Sequence, residues 1–132
     1  MRHRKKGRKL GRKTGNRRAL LMNLASQLVI HKRIKTTDAK AKELRSFIEP
    51  LITLAKKNDL HSRRMVMRKL PHKNIVKSLF DEIGPKYSDR PGGYTRIIKL
   101  GYRDNDRAPV SLIEFLDMVE ISTSEEKETD AS

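Results

Sequence analysis

The chain of 132 residues contains no cysteine and no tryptophan, and only three Phe and three Tyr. Without cysteine there is no disulfide framework, no thiolate zinc site, no Fe–S cluster and no thiol nucleophile. Long apolar runs are missing as well, so the sequence predicts no membrane-crossing helix. The start, MRHRKKGRKLGRKTGNRR, has one large apolar residue after Met1. It lacks the apolar stretch of a secretory signal, and secretion is not expected. Acidic residues are absent from the first 37 positions, which hold thirteen Lys and Arg.

Positive charge is what the chain has in excess: 31 Lys and Arg against 16 Asp and Glu, a net +15. Hydrophobic residues make up 36%, enough for one modest core, and the length suits one domain with tails. The charge divides the chain into a basic arm over 1–15, a mildly basic globular α+β domain over 16–121 and an acidic tail over 122–132. The tail carries Glu125, Glu126, Glu128 and Asp130 against Lys127 and reads as disordered.

The arm holds Arg2, His3, Arg4, Lys5, Lys6, Arg8, Lys9, Arg12 and Lys13, with Gly7, Gly11 and Gly15 spaced among them. Such a segment buries too little apolar surface to offset its ordering entropy. Alone it should be disordered, and a polyanion would supply the missing free energy by charge pairing and counterion release. A solubility tail or localisation signal is the plainer reading. Acid-free runs of this length, however, repel themselves until something neutralises them.

Thr14 or Asn16 can cap a first helix carrying Leu20, Leu21, Leu24, Ala25 and Leu28 at helical spacing. Arg17 and Arg18 open it against the helix dipole, which implies an external anion. His31, Lys32 and Arg33 close it, and Lys35 follows. Arg33–Thr37 predicts a strand. The next helix places Leu44, Phe47, Ile48, Leu51, Ile52 and Ala55 on one face. Thr37 is its cap, and Pro50 is expected to kink it without stopping it. Asn58-Asp59 marks a junction before a helix over 60–70. A further helix over 74–83 ends at Gly84 and Pro85 as a C-terminal stop. A strand over 94–102 puts Arg96, Ile98 and Leu100 on one face and Thr95, Ile97 and Lys99 on the other. Residues 110–121 fit strand and helix periods in part; hairpin logic favours a strand over about 110–119. The order is α-β-α(3)-β(2), with the helices on one face of a small mixed sheet.

Catalytic signatures fail on inspection. GRKLGRKT over 7–14 has three residues between its glycines where a phosphate-binding loop needs four, and Arg12 precedes the lysine. Asp104-Asn105-Asp106 opens like a calcium loop, but Pro109 and Phe115 occupy the required Gly and Glu positions. His3, His31, His61 and His72 are scattered, and Glu43 and Glu49 do not share a helix face. No metal site, cofactor, small-molecule substrate or enzyme activity is expected. The aromatic strand of a base-stacking RNA module is absent, so backbone and shape recognition is the expected mode.

Four segments carry a resemblance: MRHRKKGRKLGR (1–12), LVIHKRIKTTDAKAKELR (28–45), LITLAK (51–56) and DRPGGYTRIIKLGYR (89–103). Together the chain over 1 to about 119 resembles the bacterial large-subunit ribosomal proteins of the seventeenth family. Pro50 and Asn105-Asp106 depart from the family pattern. The resemblance implies a non-catalytic, cytoplasmic constituent of the large ribosomal subunit with the α-β-α(3)-β(2) fold. Its implied partners are the large-subunit (23S) rRNA and neighbouring ribosomal proteins near the exit tunnel; no membrane is implied. Carried over by position, the rRNA contacts centre on Arg2 through Lys13, with Arg17, Arg18, His31, Lys32, Arg33 and Lys35 as a second group. Arg90, Arg96 and Arg103 form a subsidiary set. A free nucleic-acid-binding regulator is the alternative.

Overall fold

Thr37 ends the first strand and begins the longest helix, and the rest of the fold is arranged around that junction. The structure, a computed structural model, describes residues 14–118. Residues 1–13 of the basic arm and the acidic tail lie outside the described residues; Thr14 and Gly15, expected to end the arm, instead open the first helix. Helix α1 spans Thr14–His31, strand β1 Arg33–Thr37, α2 Asp38–Lys57, α3 Leu60–Lys69 and α4 Lys73–Ser78. A π-helical turn over Leu79–Ile83 leads into a short helix α5, Gly84–Lys86, and strands β2, Thr95–Tyr102, and β3, Pro109–Phe115, complete the fold.

Thr37 accepts the backbone N–H of Lys40 (3.4 Å) and caps α2. Asp38, in the first turn, accepts the Ser111 hydroxyl (2.9 Å) and pairs with Lys42 (3.1 Å), tying α2 to β3. The helix runs through Pro50 unbroken. Pro50 is exposed, so the carbonyl freed by its missing N–H faces water. Asn58 then takes a left-handed conformation, and Asp59 caps α3 by accepting the Ser62 N–H (2.7 Å).

The sheet order is β1-β3-β2, antiparallel at both pairings. This corrects the expected mixed sheet. β1 and β2 run parallel, but the hairpin return strand β3 lies between them. Ser111, Ile113 and Phe115 point to the helices and are fully buried, with Ile34 and Ile97 packed beside them. Leu44, Ile48, Leu51, Ile52 and Ala55 of α2 form the other wall of the core. Beyond Phe115, Asp117 turns left-handed (φ 61°), so β3 is shorter than the expected 110–119.

The expected stop at Gly84-Pro85 is also corrected. Gly84 is right-handed helical (φ −54°, ψ −53°), and the helix continues to Lys86. A side chain at Gly84 would meet the Ala55 carbonyl oxygen at 2.8 Å. Glycine serves close helix packing here, and Pro85 is carried within the continued helical run.

Candidate nucleic-acid interface

Helix α1 carries predicted contacts at both ends. Arg17 is partly buried and Arg18 exposed near its start, and His31 is exposed at its end. At 1.5 Å per residue these groups stand about 20 Å apart. Gln27 holds the His31 ring (3.0 Å). Lys32 takes a left-handed conformation (φ 68°) and turns its ammonium back to donate to the Val29 carbonyl (2.7 Å) and to Glu82 (3.1 Å). It therefore closes the end of α1 and links it to the π-helical turn.

From there the chain enters β1, whose odd residues face away from the helices. Arg33 lies opposite Glu114, and Arg96 lies opposite Glu114 from the other side. The Glu114 side chain is only 4% exposed and accepts both Nε (2.9 Å) and a terminal nitrogen of Arg96. Two arginines distant in sequence thus flank one buried carboxylate on the outer face of the sheet. Lys35 continues this face and lines an open concavity with Leu100, Tyr102 and Arg103. Leu100 and Tyr102 form its apolar part, with exposed Ile98 nearby on β2.

The alternation expected for β2 holds as far as Lys99. A bulge then displaces Leu100 between Lys99 and Gly101, where Gly101 supplies a φ of 111°. Leu100 and Tyr102, on either side of that irregularity, line the same concavity as Lys35.

The subsidiary arginines all carry acidic partners. Arg90 pairs with Asp117 (3.5 Å), Arg96 with Glu114, and Arg103 with Asp106 (2.7 Å). The Asp106 carboxyl also accepts the Ala108 N–H (3.1 Å), and these bonds hold it below the usual carboxylate range. Asp104–Asp106 is therefore a hairpin turn. Glu49 accepts the Tyr94 N–H (3.0 Å) and the Thr95 hydroxyl (3.4 Å), fixing the start of β2. Among the described residues no three His, Asp or Glu converge to hold a metal, and no helix is long and apolar enough to cross a membrane.

The tyrosines escaped the sequence reading. Tyr87 and Tyr94 are buried with ring centroids 5.3 Å apart. Tyr87 donates to the Leu116 carbonyl (2.6 Å), and burial pushes its phenol well above the usual range. Lys56 donates to the Tyr94 hydroxyl (3.1 Å) and to the Arg90 carbonyl, and lies over the Tyr94 ring. The only sequence signal was their position at the two ends of the Pro-Gly-Gly loop.

A three-stranded antiparallel sheet backed by helices, with cations on its open face and at both ends of α1, defines a small basic α+β protein of the polyanion-binding class. Comparison with known proteins narrows this. Residues 20–116 match the family model described as "Ribosomal protein L17". The chain is also 52% identical over 117 residues to the large ribosomal subunit protein bL17 of Pelobacter propionicus, covering 89% of this chain and 92% of that protein. The chain belongs to the ribosomal protein L17 family.

Proposed function

We propose that this chain is a structural constituent of the large ribosomal subunit that binds and stabilises large-subunit rRNA. Its place in the L17 family carries this reading. Members of the family act by binding, so the chain is not an enzyme, and it works in the cytoplasm on the ribosome.

The finer assignment rests on charge. Arg2, His3, Arg4, Lys5, Lys6, Arg8, Lys9, Arg12 and Lys13 make the principal phosphate contacts. Arg17 and Arg18 extend them onto α1. His31, Arg33 and Lys35 contribute at the other end of α1 and on the open sheet face, and Lys32 contributes chiefly by holding that end in place. Arg90, Arg96 and Arg103 take part through nitrogens their acidic partners leave over. The partners are the 23S rRNA and neighbouring large-subunit proteins near the exit tunnel.

Sedimentation of a tagged full-length chain through sucrose gradients tests the reading. The protein should travel with large subunits at moderate salt. Recovery mainly on free DNA or free RNA would replace this reading with that of a nucleic-acid-binding regulator.

A further inference from the structure

The arm is not the only acid-free basic stretch. From Leu60 to Phe80 there are six Lys and Arg and no Asp or Glu. This stretch is α3, the connection after it, and α4 with the start of the π-helical turn.

The placement of its charges is systematic. Ser62, Val66 and Leu70 form the buried stripe of this segment. At 100° per residue, Arg64 and Arg68 lie about 160° round the helix from Val66, and both are exposed. Lys69, Lys73 and Lys77 are exposed too. None of these five makes an ion pair among the described residues. Arg63 differs: it is partly buried, held over the Phe80 ring at 4.7 Å and against Asn58 (3.3 Å).

Arg64 with Arg68 and Lys73 with Lys77 are like charges at i, i+4, each pair unfavourable to its own helix. Elsewhere in the chain such charge is offset: Lys42 has Asp38 one turn earlier on its own helix, and Lys32 has Glu82 of the π-helical turn. Among the described residues the α3–α4 face has no such compensation. Beside it, Asn23, Gln27, His72 and Asn74 line a groove between α1 and α4. These polar side chains can bond sugar hydroxyls and phosphate oxygens where the lysines begin.

We propose that the exposed face of α3 and α4, centred on Arg64, Arg68, Lys69, Lys73 and Lys77, is a second RNA-binding surface that grips the phosphate backbone of folded RNA. The proposal rests on the rRNA-binding reading above and adds a site on the folded domain, independent of the arm. The apolar neighbours Met65 and Met67 are the flanks of this face, and its centre is charged.

The test compares full-length wild type with Arg64→Gln/Arg68→Gln/Lys73→Gln/Lys77→Gln in binding to deproteinised large-subunit rRNA over a salt series. The substitutions lie on exposed positions and remove like-charge repulsion, so circular dichroism should show an intact fold. Affinity should fall roughly 10- to 100-fold near physiological salt, and the log–log salt slope should fall by about 3. Wild-type affinity and slope in the variant would overturn the surface. Failure of the wild type to bind rRNA would instead overturn the rRNA-binding reading itself. Acylation footprinting on the unaltered protein provides a measurement free of folding effects. Lys69, Lys73 and Lys77 should be protected when rRNA is added. Undiminished labelling, or protection only on adding other ribosomal proteins, would exclude RNA as the occupant.

Discussion

Gly84 stands so close to α2 that a methyl group on its Cα would lie 2.8 Å from the Ala55 carbonyl oxygen. The obstacle is backbone, which cannot swing aside as a flexible side chain would. Gly84→Ala gains up to about 1 kcal/mol of helix propensity but meets an overpacking cost of about 1–3 kcal/mol. We expect the variant to melt several degrees lower. Gly15→Ala is the control: that glycine also lies in a helix, with nothing within 4 Å of the added carbon. It should be neutral or stabilising by thermal melting. Equal effects at the two sites would show that packing against Ala55 is not what requires glycine.

Arg96 and Glu114 offer a test of a buried charge. Removing Arg96 leaves a carboxylate that is only 4% exposed without its bonded partner, whereas the Arg96 side chain is 57% exposed. Arg96→Met should cost about 1–2 kcal/mol, less than the full penalty for a wholly buried pair because the arginine reaches water. Arg96→Met combined with Glu114→Met removes both charges and should recover part of that loss. Denaturant titrations of the two variants decide it, since an additive further loss in the double variant would contradict this account.

Acid should destabilise the fold through Asp38, Asp59 and Asp106. Lys42 and Ser111 lower the first, the Ser62 N–H the second, and the Ala108 N–H with Arg103 the third. A carboxyl held lower in the folded chain stabilises it above the unfolded pKa, and this contribution disappears as pH falls through the folded value. Denaturation midpoints should be level above about pH 5 and decline below about pH 4. Asp38→Asn should lower the midpoint near neutrality and flatten the acid decline. The same decline in that variant would exclude Asp38 as a contributor.

Deleting residues 2–13 should weaken rRNA binding and flatten its salt dependence. If about six phosphates are involved, the slope lost is near 5 for a duplex-like charge density and less for open strands. An unchanged slope would count against the arm as the main contact.

Local chemistry made most of the fold legible. Thr37 as cap, Asn58-Asp59 as junction and the apolar face from Leu44 to Ala55 all follow from neighbours within a few residues. The misreadings arose where distant residues decide. Gly84 reads as a stop until Ala55 is seen against it, and Asp117, not chain periodicity, ends β3. The sheet reads as mixed until β3 is found between β1 and β2. At the interface, Arg33 and Arg96 were visible as charges, but Glu114 between them was not. The bulge between Lys99 and Gly101 follows no period. The cations of α3 and α4 were visible along their helices, but only their exposure and their lack of acidic partners among the described residues set them apart.

Strand order also dictates when the molecule can finish folding. β1 finds its only described partner in β3, more than seventy residues further along, where Thr37 meets Val110. A ribosome releasing this chain from its N-terminus exposes α1 and β1 long before the strand that completes them. Until residues near 115 emerge, the edge of β1 has no strand to pair with and the apolar face of α2 has no sheet beneath it. Closure must wait for this long-range pairing, which makes it slower than helix formation. The last of the described strands to be synthesised becomes the middle of the sheet, and it acts as the latch of the domain.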